Sequence, residues 1–100
     1  MNPGRPNFCV GQAPGSNLSV GNTSTEILAA NVNRVALCIT NFGSKDVFLS
    51  FDEAAVAQAG IFLPVDATCI FDSGFVSRGP LYAITKTGST KLAWQELQKS

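Results

Sequence analysis

From Thr23 to Leu97 the chain runs as short stretches of β-branched and aromatic residues punctuated by Gly, Asn, Pro and Asp, the spacing of an antiparallel sandwich or barrel. The pattern predicts six or seven strands. The first spans Thr23 to Leu28. After an Asn31-Val32-Asn33 turn, Arg34 to Phe42 alternates Val35, Leu37 and Ile39 with Ala36, Cys38 and Thr40. Both sets are fairly apolar, which marks a strand inside a sheet. Asn41, Gly43 and Ser44 turn the chain into Asp46 to Phe51, where Val47, Leu49 and Phe51 share one face. These two runs read as an antiparallel hairpin.

Asp52 to Ala59 (DEAAVAQA) is the one helix-prone piece, with Asp52 as an N-cap candidate, but Gly60 limits it to a loop or a short helical turn. Ile61 to Leu63 and Thr68 to Phe71 are short strands around Pro64-Val65-Asp66, and Asp72-Ser73-Gly74 opens another turn. Phe75 to Gly79 is irregular. Pro80 to Lys86 and Thr90 to Leu97 flank Thr87-Gly88-Ser89, a loop of the kind that closes a hairpin. Strands without any βαβ alternation predict an all-β fold, an antiparallel β-sandwich or partly closed barrel, at residues 23–100.

Residues 1–22 differ in kind. They hold four glycines, three prolines and four asparagines, with Arg5 the only charged side chain, so this stretch predicts neither a helix nor a long regular strand. Disordered tails are usually charged and poor in hydrophobes. This one carries Phe8, Val10, Leu18 and Val20 at intervals, as anchors would be spaced on an extended arm laid along its own domain or a neighbour. A tail without a role is the alternative reading.

Charged residues make up only 14% of the chain, and seven basic residues balance seven acidic ones. Scattered charge and zero net charge give no footprint for DNA or RNA, and they suit a protein whose faces are covered by neighbours. No stretch approaches the roughly 20 apolar residues that span a bilayer, and the first fifteen residues lack a leader pattern. The expectation is a protein that is soluble, not exported and not a membrane protein.

The chain has no histidine, which removes the commonest general base and metal ligand. Cys9, Cys38 and Cys69 lie about thirty residues apart, a spacing that matches neither a disulfide framework nor a paired metal site. They read as small buried hydrophobes, with a single disulfide within or between chains left open. Asp52 with Glu53, and Asp66 with Asp72, are the available acid pairs, all at strand ends or turns where solvated carboxylates are usual. No calcium loop or phosphate loop is present. No catalytic residue, metal site or cofactor is expected, and the chain does not read as an enzyme. Tyr82 and Trp94, on the last two strands, would form a sugar-stacking platform if exposed; the competing reading is that Trp94, beside Leu92, fills the core.

The runs TEILAANVNRVALCITNFGSKDVFLSF, GIFLPVDATCIF and GPLYAITKTGSTKLAWQEL resemble small virion proteins of tailed bacteriophages and β-sandwich modules of larger phage structural proteins. The likeness covers residues 25–97 and is one of strands and turns, without a catalytic motif. The sequence departs from it at Val32, where proline is common, and at Pro64-Val65-Asp66, where Pro-Gly is common. The resemblance implies a capsid decoration (cement) or head-fibre protein, made in the bacterial cytoplasm and added to the virion. It implies the major capsid protein or another virion protein as partner and a homo-oligomer, often a trimer. On this reading the arm of residues 1–22 lies across the capsid protein, and its removal abolishes particle binding without unfolding the domain. The alternative is a host-recognition or carbohydrate-binding module of a fibre or tail.

Overall fold

The computed structural model describes residues 9–11, 15–72 and 74–99. They form two antiparallel sheets packed face to face, with no helix. In chain order the strands are β1 (Cys9–Gly11), β2 (Gly15–Val20), β3 (Thr25–Leu28), β4 (Arg34–Asn41), β5 (Val47–Phe51), β6 (Ile61–Leu63), β7 (Thr68–Phe71), β8 (Leu81–Thr85) and β9 (Thr90–Lys99). Sheet A runs β2-β9-β4-β7, and β1 continues the edge that β2 begins along β9. Sheet B runs β3-β8-β5-β6. This strand order is that of a jelly roll.

The alternation of each strand decides what is inside. Val20, Leu37, Ile39, Phe71 and Leu92 point inward from sheet A and meet Ile27, Leu28, Val47, Leu49, Leu63, Leu81 and Ala83 from sheet B. Phe51 and Phe71 join the layers edge to face, with ring centroids 5.1 Å apart. Each fully buried side chain of this size contributes about 1.5–3 kcal/mol.

Two expected hairpins are not formed. β4 lies in sheet A and β5 in sheet B, and β8 and β9 are likewise divided between the sheets. The links 42–46 and 86–89 therefore cross an open end of the sandwich instead of folding a strand back on its neighbour. Of the later strands, only β5 and β6 are sequential partners, joined by residues 52–60. That link contains no helix: Asp52 (φ 71°) is left-handed, not the extended conformation of an N-cap, because its amide donates to the Pro80 carbonyl and its carboxylate accepts from Ser77. Gln58 and Gly60 also have positive φ.

Crossing links have no ladder to satisfy their backbone groups, and two side chains at the ends of β4 take over that task. Arg34 is fully buried. Its Nε donates to Glu96 Oε2 at 2.7 Å, Nη1 to the carbonyls of Ser77 and Gly79 at 2.8 Å each, and Nη2 to the Ala29 carbonyl at 2.9 Å. At the other end Asn41, also fully buried, donates through Nδ2 to the Lys45 and Leu63 carbonyls. Its Oδ1 accepts from the Gly43 amide and the Thr90 hydroxyl. Gly43 lies so close to Thr90 and Lys91 that an added Cβ would strike their backbone. Among the described residues no buried side-chain polar atom lacks a partner.

The segment read as an arm also differs from expectation. Gly15–Val20 is a strand of sheet A, Val20 is fully buried in the core and Leu18 packs against it. β2 alternates so that Leu18 and Val20 stand opposite Leu92 and Thr90 on the inner face, which leaves them unavailable as anchors for a partner. Val10 pairs with Gln98, and Phe8 lies outside the described residues.

Deleting residues 1–22 therefore destabilises the domain itself, by at least the roughly 1.5–3 kcal/mol of burying a side chain such as Val20, which a urea titration reads as a lowered denaturation midpoint. Replacing Arg34 with Met strands Glu96 and three carbonyls at once, and costs about 3–5 kcal/mol in the same titration.

Candidate functional site

The side chains singled out in the sequence are dispersed by the fold. Trp94 stands opposite Ile39 on the inner face of sheet A, partly buried against the core. Tyr82 stands opposite Glu26 and Ser50 on the outer face of sheet B. The two aromatics thus belong to different sheets and share no face. Asp66 and Asp72 flank β7 at opposite ends of the sandwich. Asp66 (φ 65°) occupies the third position of a turn closed by Ala67 N donating to the Pro64 carbonyl, where glycine is usual and Asp is tolerated. Asp72 accepts from the Gly74 amide, and Asp52 from Ser77. These carboxylates terminate turns. Among the described residues no cluster of three or more His, Cys, Asp or Glu could hold a metal, and no helix is long and apolar enough to cross a membrane.

What the fold does gather is a face of sheet A whose middle carries no charge, between the exposed Lys91 and Lys99 at the two ends of β9. The outward set there comprises Ala36, Cys38 and Thr40 of β4, Thr68 and Ile70 of β7, and Ala93, Gln95 and Leu97 of β9. Ile70 is 73% exposed and Leu97 39%. They border a shallow cavity of about 110 Å³ with Ala36, Cys38 and Gln95. Thr40 and Thr68 join the strands through a hydroxyl–hydroxyl hydrogen bond of 2.8 Å. Glu96, opposite Leu37, points inward by the alternation of β9, and a bulge at Val35 turns Arg34 inward to meet it. The only ion pair among the described residues, Arg34–Glu96, therefore lies off this face.

The sequence carried a signal for it. Ala36, Cys38 and Thr40 made β4 apolar on both sides, and a strand apolar on both sides is one whose second face suits burial too. Ile70, in the four-residue β7, and Leu97, near the end of β9, carry no face signal of their own until their partner strands are known.

The two thiols described fall on opposite faces. Cys38 pairs with Ile70 and points outward, whereas Cys69 pairs with Ile39 and packs against the core. Both are free, since adjacent strands offset by one register step aim their Cβ atoms apart. Burial pushes the Cys69 thiol above its ordinary value, and Cys38 adds to the shift.

No family model matches the sequence, and no curated protein matches it. Among solved structures the chain is similar to one described as "Bacillus endospore appendages form a novel family of disulfide-linked pili", with a TM-score of 0.56 and 12% identity over 93% of this chain and 89% of that one. At that identity the likeness establishes the two-sheet fold and not the chemistry of any residue.

The thiol environment has a direct readout. In a variant carrying Cys9→Ser and Cys38→Ser, Cys69 reacts with iodoacetamide at neutral pH more slowly in the folded protein than in urea, because burial disfavours its thiolate.

Proposed function

We propose that this protein is a structural subunit, one that acts by being assembled with other molecules through its sheet faces and performs no chemistry. The observation that carries the proposal is the outer face of sheet A, uncharged between Lys91 and Lys99, with Ile70 and Leu97 exposed on that stretch. Burying that stretch against a partner recovers apolar area while the two lysines stay at its ends. Meanwhile the buried polar groups, which an active site would turn toward a ligand, are spent on Arg34, Asn41 and their partners.

In its specific form the proposal places the subunit on the virion of a tailed phage, as a decoration protein on the shell. Its partner there is the major capsid protein or another virion protein, and it is made in the bacterial cytoplasm before joining the particle. Support for this form comes from the strand-and-turn resemblance over residues 25–97. A second reading, a fibre built from copies of the chain itself, is favoured by the fold likeness to a protein of disulfide-linked pili and by Cys38 lying on the outer face. In both forms the same face is the contact.

The variant carrying Ile70→Asp and Leu97→Asp tests it. Both positions are on the surface, so stability stays within about 0.5 kcal/mol per site, while binding to purified shells in a co-sedimentation assay is lost. Wild-type protein that sediments only with shells supports the decoration form, and wild-type filaments in negative-stain micrographs without shells support the fibre form. A double variant that assembles like the wild type overturns the proposal.

A further inference from the structure

The outer face of sheet B has a different chemistry. Its centre is an apolar row formed in register across three strands: Ile84 on β8, Phe48 on β5 and Phe62 on β6. The Phe48 and Phe62 rings lie with centroids 5.3 Å apart at a tilt of 32°. Ile84 is only 9% exposed, but Phe62 at the edge is 53% exposed. The row stands over a cavity of about 360 Å³ bordered by Lys45, Asp46, Gln58, Lys86 and Thr87. Lys45 lays its stem along Gly88, and one carboxylate oxygen of Asp46 accepts from the Val65 amide. With two lysines against one aspartate, this end of the face is positive.

At the opposite end the sign reverses. Glu26, exposed on β3, stands beside Tyr82. Residues 52–60 bring Glu53 and Val56, both exposed, to the rim of a second cavity of about 160 Å³ next to Ser50. The face is therefore positive at one end, apolar across the middle and negative at the other.

We infer that the outer face of sheet B pairs with the same face of a second copy about a two-fold axis lying across the strands. Such an axis reverses the strand direction of the partner. It brings Lys45 and Lys86 of each copy toward Glu26 and Glu53 of the other and lays the two Phe48–Phe62 rows together. A face whose charges are antisymmetric about an apolar centre is self-complementary under that operation, which is the requirement for an isologous dimer. Parallel stacking of two copies would oppose like charges at both ends. The occupant is thus fixed by charge order. This pairing uses the sheet opposite to the one in the proposed assembly contact, so a dimer would still present two copies of the sheet A face outward.

Sedimentation equilibrium of the full chain, without shells, tests the inference. The wild type is expected to be a dimer that weakens as salt is raised. Phe62→Asp, at a side chain outside the core, raises the dimer dissociation constant about thirtyfold or more, the scale of losing an interface hot spot. Ile70→Asp, on the other sheet, leaves it unchanged. The variant with Lys45→Glu and Lys86→Glu does not self-associate, nor does the one with Glu26→Lys and Glu53→Lys, yet an equimolar mixture of the two restores a dimer. Circular dichroism melts matching the wild type establish that each variant is folded; if Phe62→Asp is not, the charge-reversal mixture decides alone. A wild type that stays monomeric at every accessible concentration overturns the inference, as does a dimer broken by Ile70→Asp or a mixture that remains monomeric. Shell binding is read in a separate experiment through a separate face, so the failure of either proposal is distinguishable from the failure of the other.

Discussion

Every link that changes sheets in this fold leaves backbone groups that no strand ladder can satisfy, and the buried ends of β4 supply what is missing. Arg34 holds carbonyls of the 29–33 and 72–80 links together with Glu96. Asn41 does the same for the 42–46 link, the end of β6 and Thr90. A buried ion pair seldom adds net stability over an apolar substitute, because desolvation offsets the attraction. Its role here is geometric: a guanidinium with five donors in a fixed fork can accept only one arrangement of the loops around it. The core residues drive the sheets together, and the two polar ends determine how the chain crosses between them.

This division of labour shapes the surface. Polar side chains at the two ends are engaged in closing the sandwich, and the described carboxylates of Asp46, Asp52 and Asp72 terminate turns. What the protein presents broadly is its two outer sheet faces, and they differ. Sheet A offers small uncharged side chains around Ile70 and Leu97. Sheet B offers an aromatic row between charged ends of opposite sign. The bulge at Val35 contributes directly to this difference, since with unbroken alternation Arg34 would face outward next to Ala36.

A jelly roll hosts shells, sugar-binding modules and enzymes alike, so neither the fold nor its likeness to a pilus protein identifies the partner. The two outer faces are what the proposed assembly would bury, and Trp94 and Tyr82, on different sheets, have no common surface on which to stack a ligand.

Alternation and turn residues in the sequence determined that this chain is all-β, where β3 to β9 fall approximately, and that β4 is an interior strand apolar on both sides. These are local properties, because a period of two and a Gly or Asn at a turn act within a few residues. Which strands pair was not local. A link of four or five residues such as 42–46 or 86–89 either folds a hairpin or spans the roughly 10 Å between packed sheets, and its composition is similar in both cases. Only the closing of the core chose the crossing. The same holds for residues 15–20, whose Gly- and Asn-rich composition reads as an arm until β9 offers an edge that turns Leu18 and Val20 inward. The two outer faces, and with them the candidate sites, exist only once register is fixed, since Ile70 meets Cys38 and Phe62 meets Phe48 only when their strands pair.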